Sequence, residues 1–288
     1  MAEMYVQGVS TRKVSAIVEE LCGSAVSSSQ VSRATTLLDE QLDAWRNRPL
    51  GEMAYLYFDA RYETVRQAGQ LRDAAVLIAT GVDPQGRRHV LGVSVALSEQ
   101  EVHWRMFLQS LVARGLRGLQ LIVSDDHAGL KAARQAVFGG VPWQRCQFHL
   151  QQNTQAYVPR KDMQATVAAD IRTIFNAPNR TAADAYLGQM VQQYAKTAAK
   201  LAEWLERNIP EGLTVFAFPA NQQRRLRTTN GLERINWELD RRTTVVSIFP
   251  NEAACLRLVT TVLIELDEAW QQERSYLSFT PGTPAASS

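Results

Sequence analysis

Apolar residues recur at helical spacing over the first 50 residues, then alternate with polar ones, then return to helical spacing. Val14, Ile17, Val18 and Leu21 form one stripe, with Ser10 or Thr11 placed to cap it and Gly23 to end it. A second stripe, Val31, Leu37, Leu38, Leu42 and Trp45, opens in the Ser27-Ser28-Ser29 cluster. The pair predicts either a helix-turn-helix, with Ser29, Gln30 and Arg33 near the start of the second helix, or a helical hairpin used for packing or dimerisation. From residue 51 the pattern predicts strands over 54–65, 74–82 and 88–97, the last two joined by a turn at Asp83-Pro84-Gln85-Gly86. Ser98-Glu99-Gln100-Glu101 matches a capping box and opens a helix through Val102, Met106, Leu108 and Leu111 to Gly115. The continuously apolar run 119–124 suits the interior of a sheet. A helix over 129–138 and a strand over 141–149 follow. Residues 151–208 revert to helix, notably over 165–175 and 182–205, and 230–242 adds one more. This order predicts an α/β fold, a mixed sheet covered by helices and interrupted by an all-α insertion.

With 288 residues, 45% of them hydrophobic, the chain can bury one large core or two modest ones. Lys plus Arg number 31 against 29 Asp plus Glu, so the net charge of +2 does not advertise a nucleic-acid binder, and any electrostatic case must come from local clusters. The three cysteines, Cys22, Cys146 and Cys255, are dispersed. With no signal peptide and no apolar run of transmembrane length, a reduced cytoplasmic protein that does not enter a membrane is expected. The 280–288 tail, rich in Pro, Ala and Ser, has a disordered composition.

The chemistry sits in three carboxylates. Asp59 ends the run Tyr55-Leu56-Tyr57-Phe58, Asp125 ends Leu121-Ile122-Val123-Ser124, and Glu233 follows Thr228-Thr229-Asn230-Gly231-Leu232. An ionised carboxylate beside a buried strand is costly unless a cation or donor compensates it. Two-metal phosphoryl transfer uses such carboxylates to hold two divalent cations ~3.5–4 Å apart. Mg²⁺ takes oxygen ligands and keeps waters, so three carboxylates and substrate phosphate oxygens suffice. The separations, 66 residues (59 to 125) and 108 residues (125 to 233), require the fold to assemble the site. Each acid has a plain alternative: Asp59 can cap a turn or pair with Arg61, Asp125 or Asp126 can cap a helix before Gly129, and Glu233 can lie on a solvated face.

Several motifs occur in order: Tyr57-Phe58-Asp59-Ala60-Arg61-Tyr62, Ser124-Asp125-Asp126-His127-Ala128-Gly129-Leu130, Cys146-Gln147-Phe148-His149, Thr229-Asn230-Gly231-Leu232-Glu233-Arg234, Arg241-Arg242-Thr243-Thr244-Val245-Val246 and Phe249-Pro250-Asn251. The chain thereby resembles the mutator-type transposases of bacterial insertion sequences, DDE transposases with an RNase H-like catalytic fold, from about residue 4 to residue 279. The resemblance implies an N-terminal helical segment (1–50), an RNase H-like catalytic domain in two parts (51–150 and 222–279), an all-α insertion (151–221) and a tail (280–288). It implies Asp59, Asp125 and Glu233 as the catalytic and metal-binding triad for two Mg²⁺ or Mn²⁺ ions. Asp125 directly follows the serine, and Asp126 holds the variable position. Cys146 and His149 match a Cys-x-x-His pair just before the insertion, with His149 near the metals or the scissile phosphate. The implied activity is cleavage at terminal inverted repeats by water, then strand transfer into target DNA by the freed 3′-hydroxyl. Double-stranded DNA is the implied partner, with a homodimer or higher assembly to synapse two ends. Family members usually carry further DNA-binding helices ahead of the region matching residue 4, so part of that region is expected to be missing. The alternative is a truncated, non-catalytic DNA-binding remnant.

Zinc at Cys146 and His149 would need two more ligands, and His89, His103 and His127 are dispersed. Between residues 222 and 242, Arg224, Arg225, Arg227, Arg234, Arg241 and Arg242 stand against Glu233, Glu238 and Asp240. Guanidinium forks suit phosphate, whereas the competing expectation is a solvated helix with internal pairs, Glu238 with Arg234 or Arg242. Arg61 and Asn230 complete the candidate DNA contacts. Trp104, Trp143, Trp204, Trp237 and Trp270 are expected in the core, with Trp204 the best placed for base stacking.

Overall fold

The computed structural model describes residues 28–279. The first predicted helix, Cys22 and the 280–288 tail lie outside them. The fold is mixed α/β, built on one five-stranded sheet: β1 (Tyr55–Gln67), β2 (Gln70–Val82), β3 (Arg88–Ala96), β4 (Leu121–Ser124) and β5 (Trp143–Arg145), ordered β3-β2-β1-β4-β5. β1, β2 and β3 run antiparallel to their neighbours, whereas β1, β4 and β5 are parallel. The β1–β2 hairpin is longer than alternation predicts. Ala68 (φ 47°) and Gly69 (φ 81°) make a tight two-residue turn between Gln67 and Gln70, and the last two residues of β1 and first four of β2 form an exposed extension whose polar sequence hides the strand signal.

Side chains of successive strand residues point to opposite faces, and both faces are buried. Tyr55, Tyr57, Val76, Ile78, Leu121 and Val123 form one core. Leu56, Phe58, Leu77, Ala79 and Ile122 form another. Helices α2 (Glu101–Ala113) and α3 (Ala128–Phe138) cover the second face through Trp104, Phe107, Leu108, Leu111, Leu130 and Ala133. Of the predicted stripe on α2, Leu108 and Leu111 are buried but Val102 and Met106 are exposed, and Trp104 and Phe107 take their core positions. The capping box does not form either, since the N-cap is Gln100 and makes no side-chain cap hydrogen bond.

The strand predicted over 141–149 stops at Arg145, where Cys146 caps α4 (Gln147–Thr154). Then come α5 (Gln164–Phe175), α6 (Arg180–Ala195) and α7 (Ala199–Asn208), which share a separate core from Leu150 to Leu213. The long helix expected over 182–205 is thus two. Two buried glutamines fasten this segment to the sheet: the Gln144 amide donates to the Gly212 carbonyl (2.8 Å) and accepts from the Val215 N–H (2.8 Å), and Gln147 also donates to Gly212 (2.8 Å).

The chain returns through α8 (Ala220–Leu226), α9 (Glu233–Val246) and α10 (Glu252–Gln272), which cover the first face of the sheet. Between α9 and α10, Phe249 bonds to both Thr64 and Arg66, adding a parallel bridge to β1, and the Asn251 side chain caps α10 by accepting from Ala254 N–H (2.8 Å). The Phe-Pro-Asn motif is therefore a structural joint. The described N-terminal helix, α1 (Ser28–Arg46), lies on α10 through Arg257–Asp39 (2.8 Å) and Arg46 to Thr260 (3.0 Å). Among the described residues no helix is long and apolar enough to cross a membrane.

Candidate active site

Strand parity and register bring the two aspartates together. Tyr57 is level with Val123 on the parallel neighbour, so Asp59 and Asp125, two residues further along, lie side by side on the face shared by Tyr57 and Val123. Asp125 lies just beyond the end of β4, and its Oδ1 accepts from His127 N–H (3.4 Å). Burial chiefly raises the Asp59 pKa, the Asp125 charge adds to it, and the Asn236 amide and His149 oppose it.

Asp126 is committed elsewhere. It pairs with Arg145 (3.0 Å) and Lys131 (3.1 Å), both of which also reach Glu211 (3.0 and 2.8 Å). Arg145 is buried, so this four-membered network braces β5 against the helical segment rather than facing Asp59.

A ladder of polar contacts fixes α9 along β1. Asn236 donates to Asp59 Oδ2 (2.7 Å), Arg61 donates to the Asn236 carbonyl (2.9 Å) and pairs with Asp240 (2.7 Å), and Glu63 pairs with Arg61 (2.7 Å). Residues 59, 61 and 63 share a strand face and residues 236 and 240 share a helix face, so the two periods match over this length. The backbone of Glu233, the first residue of α9, stands one turn before Asn236.

Cys146 and His149 occupy successive turns of the α4 start. Cys146 Sγ accepts from the Thr229 N–H (3.4 Å) and hydroxyl (3.5 Å), and the Gln147 N–H donates to the Arg227 carbonyl (2.9 Å). Cys146 and the Gln147 backbone thus tie α4 to the turn that precedes Glu233. Burial alone would push the Cys146 thiol up, but contact with His149 and the Thr229 donors outweighs it and the pKa falls. His149 moves the other way, raised first by the Cys146 sulfur against burial, with Asp125 and Asp59 adding to the rise, and its Nδ1 is buried without a hydrogen-bond partner.

Among the described side chains no three His, Cys, Asp or Glu converge as metal ligands. The donor chemistry that does converge, two carboxylates with one amide holding an oxygen in place, suits a hard cation, and Asp59 is buried with no ion pair among the described residues, which leaves its charge to be compensated.

The arginines divide. Arg61 is used inside the ladder. Arg227 donates to Asn176 (2.9 Å), Arg234 pairs with Glu273 (2.7 Å), Arg241 with Glu238 (2.7 Å) and Arg242 with Glu265 (2.9 Å). The pairs anticipated from four-residue spacing thus give way to tertiary ones for Arg234 and Arg242. Asn230 falls in the turn before α9. Trp237, expected in the core, is instead 61% exposed on α9 beside Arg241. Trp204 stacks on Tyr157 (5.3 Å between centroids).

Known proteins carry similar sequences. The Mutator family of transposases matches residues 1–273. The transposase for insertion sequence element IS406 of Burkholderia multivorans is 59% identical over 98% of this chain and 73% of its own length. The corresponding values are 45%, 96% and 70% for the transposase of ISRM5 of Rhizobium meliloti, and 38%, 97% and 72% for that of IS256 in transposon Tn4001 of Staphylococcus aureus. With its sequence matched almost from end to end, the chain belongs to the Mutator family of transposases.

Proposed function

We propose that this chain is a DDE transposase of RNase H-like fold that cuts DNA at the terminal inverted repeats of an insertion sequence and joins the freed strand to target DNA. One observation carries the proposal: Asp59 and Asp125 lie side by side at neighbouring parallel strands, and α9 is laid along β1 so that Glu233 precedes the Asn236 that holds Asp59. The strand order, three antiparallel strands followed by two parallel ones, fits the RNase H-like arrangement. Asp59, Asp125 and Glu233 would hold two Mg²⁺ or Mn²⁺ ions. When bound, these ions supply charge neutralisation at the phosphate and a more acidic nucleophile.

The chain's own residues orient the site. Asn236 fixes which Asp59 oxygen faces inward, Cys146 holds the turn leading to Glu233, and His149, drawn toward its charged form first by the Cys146 sulfur and then by both aspartates, would offer a donor to an anionic substrate. Arg224, Arg225, Arg227, Arg234, Arg241, Arg242 and Asn230 would be the residues that contact the DNA. Synapsis of two ends calls for a dimer or larger assembly on DNA, in the cytoplasm.

Nicking of a labelled duplex carrying the element's own end, with Mg²⁺ or Mn²⁺ and with EDTA, tests the proposal. Metal-dependent cleavage should fall at least about a hundredfold in Glu233→Gln, the scale on which one electrostatic contributor is felt, with DNA binding retained. Binding without cleavage in either metal would instead identify a non-catalytic DNA-binding protein.

A further inference from the structure

Beside the turn that precedes α9 lies a cavity of about 260 Å³, lined by Arg88, Arg224, Arg225, Arg234 and Tyr276. The five side chains come from four places: the start of β3, α8, α9 and the segment after α10. Among the described residues Glu273 is the one acid paired with them, reaching Arg88 (2.6 Å) and Arg234 (2.7 Å). Arg224 and Arg225 form no ion pair among the described residues. The Arg88 guanidinium lies 4.3 Å from the Trp270 ring centroid and 4.7 Å from that of Tyr276, and Arg225 lies 4.6 Å from the same Tyr276 ring. Two cations are thereby held in fixed orientation over one ring, a geometry that spares the side-chain entropy usually lost on gripping a ligand. Four guanidinium groups against one carboxylate repel one another, and no second carboxylate among the described side chains is paired with them.

The geometry points to a pocket for a phosphate group, and specifically a backbone phosphate of the DNA strand that passes the Glu233 turn. Guanidinium forks match phosphate oxygens in pairs. This inference rests on DNA being the substrate, as proposed above, and adds Arg88 and Tyr276, which no spacing in the sequence connects to residues 224–234.

Anisotropy titrations of a labelled duplex, run in EDTA so that cleavage plays no part, test the pocket. Arg224→Gln should weaken binding about fivefold or more and reduce the slope of log affinity against log salt by about one. Glu273→Gln should move affinity the other way, because it removes the one negative charge. Arg207→Gln, an exposed cation paired with Glu203 on α7, should leave affinity unchanged. Opposite signs for the first two variants, in protein of unchanged circular dichroism, cannot come from misfolding. Equal affinity in wild type, Arg224→Gln and Glu273→Gln would overturn the inference. So would protection of the wild type alone against thermal unfolding by inorganic phosphate without any change in DNA affinity, which would mark a site for free phosphate. Loss of nicking with these binding differences intact would count against the proposed reaction and leave the pocket standing.

Discussion

Asp125 and Asp126 are adjacent in sequence and belong to different machines. Asp125 faces Asp59, whereas Asp126 completes the network with Arg145, Lys131 and Glu211. Asp125→Asn is expected to abolish cleavage with little change in Tm. Asp126→Asn leaves a buried guanidinium with Glu211 as its remaining acid, and should cost about 1–3 kcal/mol, less than for a fully severed buried pair. That corresponds to a Tm lower by roughly 2–4 °C per kcal/mol in a protein of this size, read by thermal melts. Asn236 acts through Asp59. Asn236→Leu should raise the Mn²⁺ concentration needed for half-maximal cleavage about 10–100-fold, the usual scale for a lost supporting bond, while saturating Mn²⁺ restores much of the rate. Strand parity made the meeting of Asp59 and Asp125 legible from sequence, because both follow apolar runs ending on the same face. The role of Arg61 was not legible: its partners Asp240 and the Asn236 carbonyl lie some 180 residues away, and spacing carries no information at that range.

At the scale of elements, strong periodicity was readable and its phase less so. On α2 the stripe Trp104, Phe107, Leu108, Leu111 has the ideal i, i+3, i+4, i+7 spacing, yet Val102 and Met106 offer a competing one, and only packing against the sheet chooses between them. Helix α10 carries Asn251 as cap and the run Leu258, Val259, Val262, Leu263, Leu266, a signal as clear as any in the chain. The strand expected over 141–149 ends early because Cys146 turns the chain to meet Thr229. Among the helices of residues 150–213, Tyr194 donates to Asp170 (2.8 Å), and burial and that bond raise its pKa to about 12. A folded-state pKa above the unfolded value of 10.0 gives stability that is complete below pH 10 and lost as pH rises through about 12. Melts of wild type and Tyr194→Phe should therefore converge between pH 10 and pH 12, and a phenol titrating near 12 by absorbance should vanish in the variant.

Across the whole molecule, the site is assembled from distant parts of the chain. Asp59 meets Asn236 across 177 residues, Arg48 meets Asp267 across 219, and the Gly86 carbonyl accepts from the N–H groups of Tyr276 (2.8 Å) and Leu277 (3.2 Å). Gly86 has φ +81° and lies so close to Leu277 that a Cβ would collide with its carbonyl oxygen, so the turn and the last segment are fitted to each other. This arrangement sets an order in time. A ribosome adding about 5–20 residues per second finishes the first three strands, which end at Ala96, roughly 7–28 s before Asn236 exists. Through that interval the sheet face that α9 and α10 will cover is bare, Asp59 lacks its amide, and the arginine pocket lacks Tyr276. A nascent chain can hold much of the sheet while Asp59 has no Asn236 and the arginine pocket no Tyr276, so both proposed parts of the site form only once residues 220–276 have been made, while the exposed face is what a chaperone would meet first.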